Sequence, residues 1–177
     1  MIKPHGSNEL MPKIVSTEEE KIALLDAAQS MKKITVNSAA AANLVMLGAG
    51  YFTPLDGFME KKDVIAVANR MQLDDGLFWP TPVVNLTNQE LEITEGESIA
   101  LIDPNVEGEQ IIAIQTVNKI EKLSDDEINN IVNKVYGTND KSHPGVQTFY
   151  EQGNILISGG VNAVSYTHLT LPTTPVV

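Results

Sequence analysis

The chain has 177 residues, of which 42% are hydrophobic and 20% charged, and its formal net charge is −11 at pH 7. This length predicts one domain with a sizeable core, and the apolar fraction excludes wholesale disorder. The sequence contains no cysteine, which excludes disulfides, thiol nucleophiles and cysteine-ligated metal centres. No apolar signal segment and no run of about 20 apolar residues is present, so we expect a cytoplasmic protein without a membrane partner.

The charge balance also limits the ligands that this chain can hold. Arg70 is the only arginine among 12 basic residues, against 23 acidic ones. Such acidity disfavours binding to nucleic acid or to an anionic membrane. A site for a triphosphate or for sulfate needs several converging cations or a nest of backbone amides. We infer that the chain either does not bind polyanions or is one part of a longer protein.

The first part of the chain is predicted to be helical. A hydroxyl residue followed by carboxylates is typical of a helix start, since its side chain caps free N–H groups and the helix dipole favours negative charge there. A helix that is apolar on nearly all sides is expected to be buried. The sequence predicts a helix from Thr17 that Lys32-Lys33 close, a strand at Ile34–Val36, a buried helix at Ala39–Leu47 after a cap at Asn37-Ser38, an aromatic loop at Tyr51–Phe58 and a helix near Lys61–Met71.

After Gly76 the hydrophobic pattern becomes typical of strands separated by turns. A helix interrupts this region: it begins with a capping box at Ser124, has apolar residues at helical spacing and ends at Gly137. Helices followed by a compact antiparallel sheet indicate the α+β class. The predicted strands are Pro80–Leu86, Ser98–Ile102, Ile111–Leu123 and Asn154–Ser158, with a short helix to Glu151 before the last.

The end of the sequence differs from the rest. Residues 152–177 carry no formal charge, and Ser165–Val177 are rich in threonine and proline without helical or strand periodicity. This segment resembles the peptide that results when sequencing-adaptor DNA is translated, and the alternative is a genuine flexible C-terminus. We expect a native domain over residues 1–163, a non-native tail over residues 164–177 and a chain truncated at its C-terminal side.

Several short patterns could carry chemistry, but each has a structural interpretation. Gly48-Ala49-Gly50 follows a helix rather than a strand, so it is expected to end that helix and not to bind a dinucleotide. Asp74-Asp75 is expected to start a turn that Gly76 completes, and Asp103-Pro104-Asn105 reads as a turn as well. Asn85-Leu86-Thr87 fits a glycosylation sequon, which a cytoplasmic protein would not use.

The three histidines do not form a metal-binding pair, since none lies four residues from another. They are His5, His143 and His168. We expect His143 to order a loop through hydrogen bonds, and a catalytic role for His143 or His5 is the alternative.

The segment Gly76–Pro82 contains the only tryptophan of the chain. Phe78 and Trp79 are expected to fill the core beside a strand entry, because large aromatic rings gain most from burial. An exposed binding surface is the alternative.

Four segments carry a family resemblance: Met1–Gly6 (MIKPHG), Gly48–Phe58 (GAGYFTPLDGF), Asp75–Pro82 (DGLFWPTP) and Lys141–Gly160 (KSHPGVQTFYEQGNILISGG). In this order and at roughly this spacing, they resemble the amino-terminal domain of sulfate adenylyltransferase (ATP sulfurylase), particularly the form of sulfur-oxidising microbes. The resemblance implies a PUA-like pseudo-β-barrel with flanking helices.

The resemblance also implies a second, catalytic α/β domain, which is absent from this sequence. In the family, that domain carries a Gln-Thr-Arg-Asn-Pro stretch and a His-x-Gly-His-type motif, which position ATP (with Mg) for attack by a sulfate oxygen on the α-phosphorus. The nearest segment here begins at Gln115 but has Val117 and Lys119 in place of the arginine and the proline. It is interpreted as a strand, and no catalytic, cofactor-binding or metal-binding residue is predicted.

Two functions from different classes follow. The first is the scaffold domain of a sulfate adenylyltransferase, inactive alone, whose partner is the missing catalytic domain and which forms a homo-oligomer when full length. The alternative is a free-standing PUA-like RNA-binding module. RNA recognition normally needs a basic face, and the net charge of −11 disfavours one.

Overall fold

A computed structural model describes residues 3–89 and 92–164. Within these ranges, five helices flank a seven-stranded sheet. The elements in chain order are α1 (Glu18–Ala28), β1 (Lys32–Thr35), α2 (Ser38–Gly48), β2 (Gly57–Phe58), α3 (Lys61–Arg70), β3 (Leu86–Thr87), β4 (Ser98–Ile102), β5 (Ile111–Thr116), β6 (Lys119–Lys122), α4 (Asp125–Tyr136), α5 (Pro144–Glu151) and β7 (Ile155–Ala163).

Local sequence signals set the helix starts. In α1 and α4, the hydroxyl of Thr17 or Ser124 accepts the N–H of the glutamate three residues later, and the carboxylate of that glutamate accepts the backbone N–H of the cap residue. The side chain of Asn37 accepts the N–H of Ala40 at the start of α2, and most of α2 is buried. The predicted capped starts and the buried second helix are therefore confirmed.

The long strand β7 organises the sheet, since four strands pair with it in antiparallel fashion. They are β5 and β6 along its two halves and the short strands β2 and β3. On the far side of β5 lies β4, which pairs in parallel with β1. The sheet thus curls into a half-barrel, and the helices cover it.

The curl is centred on Gly159 in β7. Its φ is +141°, and a Cβ at this position would lie 1.9 Å from the carbonyl oxygen of Thr116. Next to this bend, β5 ends at Thr116 and β6 begins at Lys119. The segment Ile111–Leu123 therefore forms two strands on the two halves of β7, where the sequence predicts one.

Other sequence expectations are wrong in detail. The sheet is not wholly antiparallel, because β1 and β4 are parallel. Lys32 and Lys33 begin β1, since α1 already ends at Ala28. Of the predicted strand Pro80–Leu86, only Leu86 lies in a strand, because prolines cannot donate to a sheet ladder. The last predicted strand is longer than expected and continues to Ala163.

The core has two parts, which lie on opposite faces of the sheet. The main cluster packs α2, α3, α4 and α5 against the sheet, and a smaller one packs α1 against β4 and β5. This mixture of helices on a curled sheet confirms the predicted α+β class. None of the helices within residues 3–89 and 92–164 is both long and apolar enough to cross a membrane. The predicted tail, residues 164–177, begins at Val164, which is buried and donates its N–H to the carbonyl oxygen of Ile112 at 2.9 Å, so this residue belongs to the domain. The other tail residues lie outside the described ones, and there the tail stays a prediction.

Candidate functional site

Three of the four segments that carry the family resemblance meet at one corner of the fold. The Nε2 atom of His5 lies 2.7 Å from the carbonyl oxygen of Phe78, and since this oxygen can only accept, Nε2 is the donor. The imidazole ring also packs near the rings of Phe78 and Trp79, with centroids 6.3 Å apart in both cases. We name residues 5–12, 50–54 and 77–79 the aromatic corner.

Thr53 ties the second of these segments to the N-terminal one. Its Oγ1 accepts the N–H of Met11 at 3.0 Å and donates to the carbonyl oxygen of Gly50 at 2.7 Å. Gly50 has a φ of +78°, and a Cβ there would lie 3.0 Å from the backbone nitrogen of Pro12. The predicted helix end at Gly48-Ala49-Gly50 is confirmed, and the same glycine leaves room for the N-terminal segment.

The two aromatic residues of the third segment differ in burial. Trp79 is 5% exposed and makes an edge contact with Phe52, whose ring centroid is 5.7 Å away. Phe78, its neighbour in the chain, is 55% exposed. The prediction that both rings fill the core is right for Trp79 and wrong for Phe78, because successive side chains of an extended segment point to opposite sides.

The fourth segment reaches the second through the sheet. Gly57 and Phe58 of β2 pair with Gly160 and Gly159 of β7. A Cβ on Gly57 would lie 2.0 Å from the carbonyl oxygen of Gly159, so the two backbones touch where a side chain has no room. All four segments therefore belong to one connected structure.

Within the described residues, His5 and His143 have no contact partner in common and do not form one site. Nδ1 of His143 accepts the N–H of Val146 at 3.4 Å. The predicted hydrogen bond is therefore present, but it caps α5, which includes Pro144 and Gly145, instead of ordering a loop. His5 lies in the aromatic corner, where it bonds to Phe78, and is 138 residues before His143 in the chain. His168 lies outside the described residues.

The acidic candidates are explained by turns. Asp75 accepts the N–H of Leu77 at 2.9 Å, and Asp103 accepts that of Asn105 at 2.8 Å. Within residues 3–89 and 92–164, no group of three or more histidine, aspartate or glutamate side chains is placed to hold a metal ion.

The amides of Asn85 and Gln115 form a buried link across the sheet. Asn85 donates to Gln115 Oε1 at 3.1 Å, and Gln115 donates to the carbonyl oxygen of Ile157 at 3.0 Å. Gln115 is fully buried in β5, so its interpretation as part of a strand is confirmed.

Many of the lysines are engaged with carboxylates. Lys119 donates to Glu60 at 2.8 Å, and this hydrogen bond holds the pKa of Glu60 below its ordinary value. Lys61 lies 2.7 Å from Glu127 and likewise lowers the pKa of that carboxyl group. Further pairs join Lys13 to Asp56, Lys21 to Glu18, Lys32 to Glu97, Lys33 to Glu109 and Lys62 to Glu60. These pairs are spread over the surface and do not form the converging cluster that a polyanion site needs.

A polar groove that sequence analysis missed lies between α4 and α5. Its volume is about 560 Å³. Tyr150 donates to Asn129 Oδ1 at 2.6 Å, and Lys141 Nζ lies 4.9 Å from the centre of the Tyr150 ring. With Asp125 on the same wall, the groove combines one cation with one carboxylate and several amides. The residues that line the groove do not include a nucleophile hydrogen-bonded to a general base, so the groove does not have the arrangement of a catalytic site.

Comparison with known proteins identifies the fold family. The profile of the family described as "PUA-like domain" matches residues 2–166. The chain belongs to the PUA-like domain family. Two curated relatives named "Sulfate adenylyltransferase", from Alcanivorax borkumensis and Allochromatium vinosum, are each 44% identical to this PUA-like domain over 168 residues, which cover 95% of the chain.

The relatives are much longer than this PUA-like domain, which spans 42% of the length of each of these two. A third, of the same name, comes from the Riftia pachyptila sulfur-oxidizing endosymbiont and is 38% identical over 95% of the chain and 38% of its own length. The predicted resemblance is therefore confirmed.

The fold also matches a solved structure titled "Hexameric APS kinase from Thiobacillus denitrificans". The TM-score is 0.65 at 24% identity, and the match covers 93% of this PUA-like domain and 27% of that chain. A likeness at this level of identity bears on the fold alone.

Proposed function

We propose that this chain is the N-terminal scaffold domain of a sulfate adenylyltransferase, an enzyme that interconverts ATP and sulfate with adenylyl sulfate and diphosphate. One observation carries the proposal: relatives of that name match 95% of this chain, whereas the chain accounts for only 42% of their length. The remaining part of such a protein is where we place the binding of ATP (with Mg) and of sulfate.

The charge distribution supports a scaffold role. Transfer to the α-phosphorus needs positive groups and amide donors around the developing charge. Here a single arginine is available, and seven lysines have carboxylate partners within 4 Å. We therefore expect this chain to hold no catalytic residue and to be inactive alone.

The same distribution gives less support to an RNA-binding module. A phosphate backbone is attracted by unpaired lysines and arginines gathered on one face. The ion pairs described above use Lys13 and lysines of α1, α3, β1 and β6, and the chain as a whole is strongly negative. The proposal further includes a cytoplasmic location and a full-length homo-oligomer.

The test compares three proteins in an assay for adenylyl sulfate synthesis from ATP and sulfate. They are the 177-residue chain, the Alcanivorax relative, and a chimera in which residues 1–164 replace the matching part of that relative. We expect turnover by the relative and by the chimera but none by the chain. Turnover by the purified chain that a substitution within it abolishes would contradict the scaffold role, and a folded but inactive chimera would contradict the family activity.

Reading the genomic sequence downstream of residue 163 is an independent check. A continuation into a Gln-Thr-Arg-Asn-Pro stretch is the expected result. An early stop codon would instead favour the free-standing module.

A further inference from the structure

The imidazole rings of His5 and His143 use their hydrogen bonds in opposite ways. His5 donates through Nε2 to the carbonyl oxygen of Phe78 at 2.7 Å, whereas His143 accepts the N–H of Val146 through Nδ1 at 3.4 Å. A neutral imidazole has one N–H donor and one lone-pair acceptor, and an imidazolium has donors only. Gain of a proton therefore keeps the donor of His5 but removes the acceptor of His143.

The acceptor of His143 lies at the start of α5. His143 is the N-cap residue, with φ −74° and ψ 121°, and Pro144 occupies the first turn. The N–H of Val146 is one of the donors that have no partner within a helix at its N-terminal end, and Val146 is fully buried. Without Nδ1 as acceptor, this buried N–H has lost its bond, and the imidazolium also faces the positive end of the helix dipole.

Asp140 offers the protonated ring a different partner. The carbonyl oxygen of Asp140 accepts the backbone N–H of His143 at 3.0 Å, so the two residues close one turn before α5. The carboxylate accepts the N–H of Ser142 at 2.9 Å. This bond chiefly lowers the pKa of Asp140, and attraction to His143 lowers it further. Asp140 therefore remains negatively charged where histidines ordinarily gain their proton.

Tyr136 of α4 faces the same imidazole. Its ring centroid lies 5.7 Å from that of His143, and burial raises the pKa of the Tyr136 hydroxyl, which stays neutral while a histidine titrates. A Cβ on Gly145 would lie 2.7 Å from Tyr136 Cε1 and 3.3 Å from His143 Cε1, so the glycine lets the ring pack close to α4. The first turn of α5, which lies within the described residues, has no acidic side chain. Asp140 is thus the carboxylate placed to attract the imidazolium.

The turn that holds His143 also forms a wall of the polar groove. Lys141 lies in this turn, and its Nζ is 4.9 Å from the centre of the Tyr150 ring. Both residues line the groove, and Tyr150 of α5 donates to Asn129 of α4. A change at the start of α5 therefore acts on the segment that places the cation of the groove.

We propose that His143 is a pH-sensitive cap of α5. The neutral imidazole holds the first turn of the helix through Val146, and the imidazolium releases Val146 and turns to Asp140. The rest of α5 stays in place on acidification, because Val146 and Phe149 are buried in the main core cluster. This switch uses only residues 136–150 and does not depend on the proposed function.

Amide hydrogen exchange of the 177-residue chain, followed by NMR, tests the proposal. The protection factor of Val146 should fall about two- to tenfold between about pH 8 and pH 5, as expected for loss of a helix cap. Its midpoint should coincide with the titration of the His143 ring, and the protection of Ile131 in α4 should stay constant. Constant protection of Val146 while His143 titrates would overturn the proposal.

The nitrogen chemical shifts of the His143 ring give a second measurement on the unmodified chain. In the neutral state we expect a proton on Nε2 and none on Nδ1, because Nδ1 accepts the N–H of Val146. A neutral ring that carries its proton on Nδ1 would also overturn the proposal.

Two asparagine variants separate the cap from other effects of acid. His143→Asn keeps a strong cap acceptor that does not titrate, so the protection of Val146 should become independent of pH. His5→Asn is the matched control and should leave the pH dependence at Val146 as it is, since His5 bonds to Phe78. The same pH dependence in His143→Asn as in the unmodified chain would contradict the assignment of His143.

Asp140→Asn tests the partner of the imidazolium. Asparagine can still accept the N–H of Ser142, but it removes the negative charge. The imidazolium then loses an attraction, so the midpoint of the change at Val146 should move to lower pH. An unchanged midpoint would show that Asp140 does not receive the protonated ring and would refute this half of the switch.

Discussion

The region around Gly159 and the aromatic corner differ in how they are packed. Around Gly159, backbone packs on backbone: β2 and the end of β5 approach β7 so closely that no side chain fits. The aromatic corner is also tied together by hydrogen bonds, yet it presents large apolar side chains to the outside. The first region derives its stability from close backbone contacts, whereas the second leaves large apolar side chains exposed. Close backbone packing and apolar exposure are thus found at different places in one small domain.

Among the variants considered, Gly159→Ala should destabilise the sheet most. The new Cβ would lie 1.9 Å from the carbonyl oxygen of Thr116, and the φ of +141° is itself strained for alanine. We expect a loss of at least about 5 kcal/mol, against a free energy of unfolding of roughly 5–15 kcal/mol for an ordinary domain. Urea unfolding followed by circular dichroism measures it.

Gly96→Ala is the control for Gly159→Ala. Gly96 has a φ of +85°, but a Cβ there meets nothing within 4 Å. This variant should cost only about 1–2 kcal/mol from backbone strain. Equal losses for the two variants would show that φ, and not the close approach of the strands, limits position 159.

The buried and exposed rings of the aromatic corner should respond differently. Trp79→Ala removes a ring packed against Phe52 and should cost about 3–5 kcal/mol. Phe78→Ala removes an exposed ring and should change the stability of the chain by less than about 0.5 kcal/mol. In a full-length protein, whatever Trp79→Ala material folds should keep near-normal affinity for ATP and sulfate. Loss of substrate binding with stability intact would place this segment in the active site instead.

Acid should weaken the ion pair of Lys61 with Glu127, which joins the start of α3 to the first turn of α4. The pKa of Glu127 is lowered chiefly by its hydrogen bond with Lys61. Its stabilisation is therefore fully present above the ordinary value of 4.5 and is lost as the pH falls below that value through the lowered pKa of the folded state.

In Glu127→Gln, the free energy of unfolding should fall less as the pH is lowered than in the unmodified chain. Unfolding midpoints measured from pH 6 to pH 3 detect the difference. The effect is about 1 kcal/mol or less, because the pair is only partly buried. Lys61→Met removes the other partner and should flatten the curve to a similar extent. An unchanged slope in both variants would show that other groups set the acid sensitivity.

The smallest effect concerns the end of the sequence. Deleting Ser165–Val177 should leave the melting temperature unchanged, since an uncharged segment rich in threonine and proline is not expected to pack. A fall of more than a few degrees would show that the tail is native structure.

Features that depend on nearby residues were predictable from the sequence. The hydroxyl cap at Thr17, the capping box at Ser124 and the end of α2 follow from contacts within a few residues, and the structure confirms them. The split of β5 from β6 was not predictable, because it depends on Gly159, which lies more than 40 residues later in the chain. The parallel pairing of β1 with β4 likewise joins segments separated by more than 60 residues.

The candidate site shows the same division. The resemblance identified the four segments, but their convergence depends on contacts such as that of His5 with Phe78, 73 residues apart. The sequence shows two adjacent aromatic residues but not which of them is buried. Trp79 is the buried one because Phe52 packs on its side of the segment. Exposure of Leu10 and Tyr51 left no signal in the sequence.

The buried amide of Asn85 has a consequence for the choice of expression host. Asn85 is 1% exposed and its Nδ2 donates to Gln115, yet it heads an Asn-Leu-Thr sequon. An oligosaccharyltransferase acts on such a sequon in the unfolded chain, and a glycan on Nδ2 has no room beside β5. In a eukaryotic secretory pathway, chains modified at Asn85 would be held back from folding, and only unmodified chains would be recovered. Production in a bacterial cytoplasm avoids this competition between modification and folding.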